Sequence, residues 1–290
     1  MTPRPFFEGW YFKHQWAGRT AAFIPAHHRD GTGAHTASLQ IVTDDASDCL
    51  EIPIAEFHIR RDPFQVRAGT SLFTLEGCRI NCALGGGRLT GALRYGPAAP
   101  PKGDIMGPFR FVPFLQCRHS VLSMDHTVDG ALALDGRPWA GGPGRGYVEG
   151  DRGASFPKRY LWTQSAVPGG SVMLSVADVP LGPGRITGCI GFVWQNGREL
   201  RLATYRGLRV AEAGPKRAVV RQGPWELTAE LLEDRAQPLK APVLGGMSRI
   251  IRESAACAVR YRLRRNGETA LDVTSARAGF EAEWPEGPAS

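Results

Sequence analysis

The segment CAVRYRLR (257–264), followed by Asn266-Gly267 and by TALDVT (269–274), determines the fold class of this chain. Apolar side chains alternate with arginines in the first part, so an extended strand would carry one apolar face and one charged face. Asn-Gly is the preferred pair for a type I′ turn, because both of its central residues have positive φ. The segment therefore predicts a β-hairpin with one face on a core.

The same pattern recurs along the chain. Asn196-Gly197 and Asp135-Gly136 also separate alternating apolar segments, and each half contains roughly seven to nine short strand candidates, enough for a barrel or a pair of sheets. The exception is Gly246–Ala256, where the spacing of apolar residues predicts a short helix. The expected class is all-β, with two lipocalin-like antiparallel β-barrel or sandwich domains and little helix.

A glycine- and proline-rich run at 141–146 suggests a domain boundary in the middle of the chain. We place it near residue 152, which assigns 1–152 to an N-terminal lipocalin-like β domain and 153–290 to a C-terminal one. This division depends on the number of predicted strands in each half, since no internal repeat links the halves.

The composition is that of a soluble globular protein, with 42% hydrophobic and 22% charged residues among 290. The sequence contains no run of about eighteen apolar residues and begins without a basic and apolar signal. We expect a cytoplasmic protein and leave peripheral membrane contact open. The net charge of +7 comes mostly from arginine. The arginines of 260–265 favour a solvated strand face, with anionic lipid or nucleic acid as the less favoured alternative.

The cysteine and histidine spacings do not favour a metal site. None of the six cysteines forms a CxxC pair. His27 and His28 are adjacent, so on a strand they would face opposite ways. Neither a metal nor a nucleic-acid partner is expected, and the oligomeric state is left open.

The opening box FFEGWYFK (6–13) places an acid among aromatic residues. On an extended strand Glu8, Trp10 and Phe12 share one face, and Tyr11 lies on the other. A carboxyl among apolar walls has its charged form disfavoured, which raises its pKa. Glu8 is therefore a candidate general acid, and the alternative is a structural Glu bound to backbone or arginine.

The second box, GYVEGDRG (146–153), continues into SFPKRYLWTQ (155–164). Glu149 and Asp151 share a face of an extended strand, and two such acids could share a proton, which raises the pKa of one. The alternative is a glycine turn in which these acids pair with Arg152 and Lys158. His119, in HSVLSMDH (119–126), is a further candidate for proton transfer.

These boxes resemble the tocopherol cyclase family, including its bacterial members. Phe6 to Phe12 match its Phe-Phe-Glu-Gly-Trp-Tyr-Phe box, and a weaker likeness lies at Leu239-Lys240-Ala241-Pro242. Asp151-Arg152-Gly153 stands where the plant enzymes carry Asn-Trp-Gly. The matches to the second family signature are Tyr147, Glu149, Gly153, Phe156, Pro157, Lys158, Arg159, Trp162 and Gln164.

The resemblance implies a two-domain lipocalin-like architecture shared with carotenoid hydratases, and closure of a prenylated hydroquinone to a chromanol without metal or redox cofactor. A neutral carboxylic acid, Glu8 or Glu149, would protonate the alkene, and Asp151 or His119 would accept the phenol proton. Isoprenoid hydration and ligand binding without chemistry are the alternatives. The expected substrate-binding residues are Trp10, Tyr11, Phe12, Tyr147, Lys158, Trp162 and Gln164.

Overall fold

The computed structural model describes residues 4–112, 115–181 and 184–284. Within these ranges it contains twenty-two strands and three short 3-10 helices, at Ile54–Glu56, Gly107–Phe111 and Thr204–Arg206. All strand pairings are antiparallel in two sheets, which confirms the all-β, lipocalin-like class with little helix. In the described part of the chain, no helix is long and apolar enough to cross a membrane.

The first sheet has twelve strands, ordered β4-β3-β2-β1-β12-β10-β9-β8-β7-β6-β5, with β11 paired to β10. Their bounds are β1 Phe6–Gln15, β2 Thr20–Arg29, β3 His35–Thr43, β4 Ser47–Ile52, β5 Phe57–Arg61, β6 Phe64–Ala68, β7 Ser71–Thr74, β8 Gly77–Leu84, β9 Gly87–Tyr95, β10 Cys117–Leu134, β11 Arg137–Gly141 and β12 Gly144–Gly153.

The second sheet has ten strands, ordered β16-β15-β14-β13-β22-β21-β19-β18-β17, with β20 paired to β21. Their bounds are β13 Tyr160–Val167, β14 Gly170–Leu181, β15 Gly184–Gln195, β16 Arg198–Ala203, β17 Arg209–Ala213, β18 Arg217–Gln222, β19 Trp225–Glu233, β20 Gln237–Val243, β21 Gly246–Arg265 and β22 Glu268–Glu283.

The chain divides into two compact units, and neither is a single continuous segment. The first comprises Met1–Pro101, Cys117–Phe156 and Leu239–Ile250. The second comprises Lys102–Gln116, Pro157–Pro238 and Ile251–Ser290. Hydrogen bonds hold the segment Leu239–Ile250 in the first unit. The Gln40 side chain donates to the Lys240 carbonyl (3.0 Å) and accepts from the Lys240 amide (2.9 Å).

Each unit has its own hydrophobic core on one face of its sheet. In the first, Phe12 lies 5.0 Å from Phe73 between ring centroids, and Trp10 lies 5.7 Å from Phe64. In the second, Tyr261 and residues of β13, β14, β18 and β19 form the core. Burying these alternate side chains is the main source of stability for both sheets.

The three predicted hairpin turns are all present. Asn266, Asn196 and Asp135 have φ near +50°, and a glycine with positive φ follows each of them. The turns join β21 to β22, β15 to β16 and β10 to β11. These turns form as predicted because their geometry depends on residues adjacent in sequence.

The predicted helix at Gly246–Ala256 is wrong, because this segment belongs to strand β21. Its backbone pairs with β22, where Glu253 lies opposite Glu281, and Ile250 is 62% exposed. The apolar spacing imitates a helical stripe, but the hydrogen-bonding partners come from other strands. Local periodicity cannot reveal those partners.

Gly150 allows β1 and β12 to pack against the Trp10 indole. Gly150 lies opposite Trp10, and a Cβ at this position would lie 2.8 Å from Trp10 Cδ1. We expect Gly150→Ala to lower the free energy of unfolding by about 1–3 kcal/mol through overpacking. Urea denaturation would measure this change. Gly18→Ala is the control, because a Cβ there meets nothing within 4 Å. Equal stability of Gly150→Ala and wild type would contradict the packing argument.

Candidate active site

Strand pairing places acids and a histidine from β10 and β12 on one face of the first unit. His119 lies opposite Asp151 on β12, and Tyr11 of β1 lies opposite Glu149. Residues directly opposite in an antiparallel pair project from the same side of the sheet. Tyr147 shares this face because it is two residues from Glu149 on the same strand.

These side chains form a continuous polar chain. The Tyr147 hydroxyl donates a hydrogen bond to Glu149 Oε2 at 2.5 Å. His119 Nε2 lies 3.2 Å from the same oxygen, and His119 Nδ1 lies 3.1 Å from Asp151 Oδ1. The Cys117 thiol also donates to Asp151 Oδ1, at 3.3 Å. The imidazole therefore lies between two carboxylates: Nδ1 is hydrogen-bonded to Asp151, and Nε2 lies within ion-pair distance of Glu149.

The bridge formed by Glu149, His119 and Asp151 is buried, and its two carboxylates favour the charged form of the imidazole. The side chains of His119 and Glu149 are 10% and 7% exposed, against 24% for Asp151. Burial alone would lower the pKa of His119, but the Glu149 and Asp151 carboxylates outweigh it and raise that pKa well above 6.5. The arrangement thus holds a proton between two acceptors, with Asp151 on the more accessible side.

Tyr147 stays protonated in this environment. Burial, together with the nearby Glu149 carboxylate, raises the pKa of Tyr147 well above 10. A neutral hydroxyl can donate its hydrogen bond to Glu149, which holds that carboxylate in place. Tyr147 therefore orients Glu149 rather than acting as a base.

The same three groups have spacing that a metal ion could use, since one donor atom from each of His119, Glu149 and Asp151 lies within 4.8 Å of the others. A metal needs a neutral imidazole with a free lone pair. The two carboxylates raise the pKa of His119, so a metal ion would have to displace the imidazole proton in order to bind here.

Glu8 does not have the raised pKa that was expected for a neutral acid. Burial raises its pKa, but hydrogen bonds from His27 and Arg61 outweigh this and lower it from 4.5 to about 2. Arg61 Nη2 lies 2.6 Å from Glu8 Oε2, and His27 Nε2 lies 3.4 Å from it. Glu8 pairs with Arg152, so it lies on the opposite sheet face from Glu149. The structural alternative, a Glu bound to arginine, describes this residue.

The expected substrate-binding residues lie in three different places. Tyr11 and Tyr147 share the face of Glu149, whereas Trp10 and Phe12 point into the hydrophobic core on the other face. Lys158, Trp162 and Gln164 belong to the second unit. There Lys158 is exposed, and Trp162 and Gln164 are buried on β13.

Sequence reasoning missed two buried acids in the second unit. Glu281 lies opposite both Trp162 on β13 and Glu253 on β21, and both acids are at most 6% exposed. They therefore share the Trp162 face, away from that unit's core. A glutamate that alternates with apolar residues in FEAEW (280–284) looks like an ordinary solvent-facing position, so the sequence carried no signal for its burial.

Comparisons with known proteins show the fold alone. The sequence matches no protein-family model, and a search of curated proteins finds no match. The crystal structure of CghA with Sch210972 aligns with a TM-score of 0.59 at 15% identity, covering 98% of this chain and 89% of that one. A Nitrosomonas europaea protein described as a candidate AttH aligns with a TM-score of 0.55 at 11% identity, covering 97% and 93%. This chain is similar to both throughout its length, in an all-β architecture.

Proposed function

We propose that this protein catalyses acid–base chemistry on an isoprenoid double bond, with closure of a prenylated hydroquinone to a chromanol-type ring as its reaction. The observation that carries the proposal is the buried bridge in which His119 joins Glu149 to Asp151. The aromatic boxes that resemble the tocopherol cyclase family support the choice of substrate. The structural neighbour that holds Sch210972 shows only that a small molecule was crystallised with a related fold.

The bridge can supply and recover one proton in each cycle. His119 passes a proton from Nε2 to Glu149, and the resulting neutral carboxyl protonates the alkene to give a tertiary cation. The phenol oxygen attacks that cation and forms the new C–O bond, while the phenol proton goes to Asp151. His119 then keeps its remaining proton on Nδ1, so Asp151 releases the phenol proton to solvent and His119 Nε2 takes up a proton from solvent, which restores the imidazolium. Substrate and product are isomers, so no proton is consumed.

The surroundings of His119 support this chemistry. Proton transfer from His119 to Glu149 converts an ion pair into two neutral groups, so the net charge of the buried bridge does not change. The rings of Tyr11 and Tyr147 lie on the same face and can stabilise the developing cation. Asp151 and Glu149 flank one imidazole, so the donor and the acceptor are separated by a single side chain.

Hydration of an isoprenoid double bond is the second candidate. It uses the same acid, but water replaces the phenol as nucleophile. The greater exposure of Asp151, 24% against 7% for Glu149, favours this candidate because a water molecule could reach that carboxylate. Product analysis separates the two reactions.

The test is to incubate purified protein with a dimethylphytylhydroquinone under reducing conditions and analyse the extract by liquid chromatography and mass spectrometry. Cyclisation gives a product of unchanged mass and altered retention. Hydration of a prenyl substrate gives a product one water heavier. If the quinol and a panel of isoprenoid alkenes are recovered unchanged but co-purify with the protein, a binding protein without catalysis replaces the proposal.

A further inference from the structure

The charged face of the second unit carries more arginines than carboxylates. Cross-strand register places residues of β17, β18, β19, β21 and β22 on this face, opposite the core. In the part of this face that surrounds residues 217–230 and 260–264, six arginines face four acids, which leaves two positive charges in excess there. The residues are Arg209, Arg217, Arg221, Arg260, Arg262 and Arg264, with Glu212, Glu226, Glu230 and Asp272.

The excess charge includes Arg264. Arg221 Nε lies 2.7 Å from Glu226, and Arg260 makes two hydrogen bonds to Asp272, at 2.8 and 2.7 Å. Within residues 4–112, 115–181 and 184–284, no carboxylate lies within ion-pair distance of Arg264. Its guanidinium is therefore available for an anion from solution.

A groove lies beside this arginine. It encloses about 270 Å³ and is bordered by Arg217, Arg221, Arg262 and Arg264. Its floor includes Val219 and Thr228, each 6% exposed although they face outward. A phosphate or diphosphate group fits this volume, whereas a long polyanion would extend beyond it.

We propose that this groove binds a phosphate group. Guanidinium forks match phosphate oxygens in bidentate geometry, and several arginines around one groove neutralise a dianion. Two carboxylates at the border hold arginines in place. Glu212 Oε2 lies 3.1 Å from Arg217 Nη1, and Glu226 Oε2 lies 2.7 Å from Arg221 Nε. The phosphate could belong to a soluble ester or to a lipid headgroup. The site is independent of the reaction proposed above.

Calorimetric titration of the full chain with pyrophosphate tests the site. We expect binding by the wild type, and a dissociation constant raised roughly tenfold or more in Arg264→Ala, since hydrogen bonds between charged groups are the strong ones. Arg264→Lys keeps the charge but loses the forked guanidinium, so its dissociation constant should lie between those of the wild type and Arg264→Ala. Arg94→Ala is the matched control, because Arg94 is an exposed arginine of the first unit, 3.6 Å from Asp129.

Two results would overturn the site: no pyrophosphate binding by the wild type, or an equal loss in Arg94→Ala and Arg264→Ala, which would indicate a non-specific charge effect. Co-sedimentation with phosphatidic acid vesicles, compared with phosphatidylcholine vesicles, identifies the source of the phosphate. Sedimentation that depends on Arg264 indicates a lipid headgroup. Pyrophosphate binding without sedimentation indicates a soluble phosphate ester.

Discussion

Glu149→Gln should reduce turnover of a prenylated hydroquinone by about a hundredfold or more, the usual effect of removing a general acid. Glutamine keeps the shape of the side chain and can still accept the hydrogen bond from Tyr147, but it cannot receive a proton from His119 and pass it on. Substrate binding should survive. Single-turnover rates and KM, measured separately, would show a loss confined to the chemical step.

Glu8→Gln is the matched control for that variant. It makes the same chemical change in a strand that pairs with β12, but on the opposite face, at a carboxylate held by Arg61 and His27. We expect its turnover to stay within a few-fold of wild type. If Glu149→Gln turns over as fast as Glu8→Gln, the assignment of Glu149 as the proton donor is wrong.

His119→Leu should give the largest loss of stability among single changes in the bridge. It removes the cation between two carboxylates whose side chains are 7% and 24% exposed, which leaves charge without compensation. Breaking a buried ion pair from one side typically costs about 3–5 kcal/mol. Chemical denaturation with separate probes for the two units would measure the change in the free energy of unfolding. Turnover should also fall, because Glu149 can no longer receive a proton from residue 119.

The pH dependence of stability gives a second measurement on the same residue. The pKa of His119 is raised in the folded protein, so the folded state binds a proton more tightly than the unfolded chain. Its stabilising contribution is complete below the unfolded pKa of about 6.5 and is lost as the pH rises through the folded pKa. Wild type should therefore lose this contribution in alkaline solution, and His119→Leu should lack that dependence.

A triple variant separates charge from packing. His119→Leu combined with Glu149→Gln and Asp151→Asn removes all the charges together, so it should recover part of the stability lost by His119→Leu alone. If the triple variant is no more stable than the single one, lost packing accounts for the effect, and the charged bridge is not its cause.

Local patterns were sufficient to predict the sheets and their turns. Alternation in CAVRYRLR and the Asn266-Gly267 pair define β21, its turn and β22, because turn geometry and face polarity depend on neighbouring residues. Alternation also placed Glu149 and Asp151 on one face. The helix predicted at Gly246–Ala256 rested instead on an apolar spacing of three and four residues. That spacing can also occur on a paired strand, as it does in β21.

The chemistry of the site depended on residues distant in sequence. Alternation along β1 gave the correct face for Glu8, but Arg61, the partner that lowers its pKa, lies on β5. Likewise, His119 meets Asp151 only through the register between β10 and β12. Strand registers over such separations cannot be read from a single sequence, so the expected rise in the pKa of Glu8 was wrong, while the catalytic roles of these acids stay predictions.

The segment Leu239–Ile250 affects the order in which the two units can fold during synthesis. It belongs to the first unit, although most of the second unit precedes it. The Phe156 amide donates to the Pro242 carbonyl at 3.3 Å, and the Leu244 amide donates to Ser155 Oγ at 2.8 Å. On the ribosome, a nascent chain that ends at residue 156 lacks these partners. The first unit is therefore completed only after residues 239–250 have left the exit tunnel, by which time most of the second unit has also been synthesised.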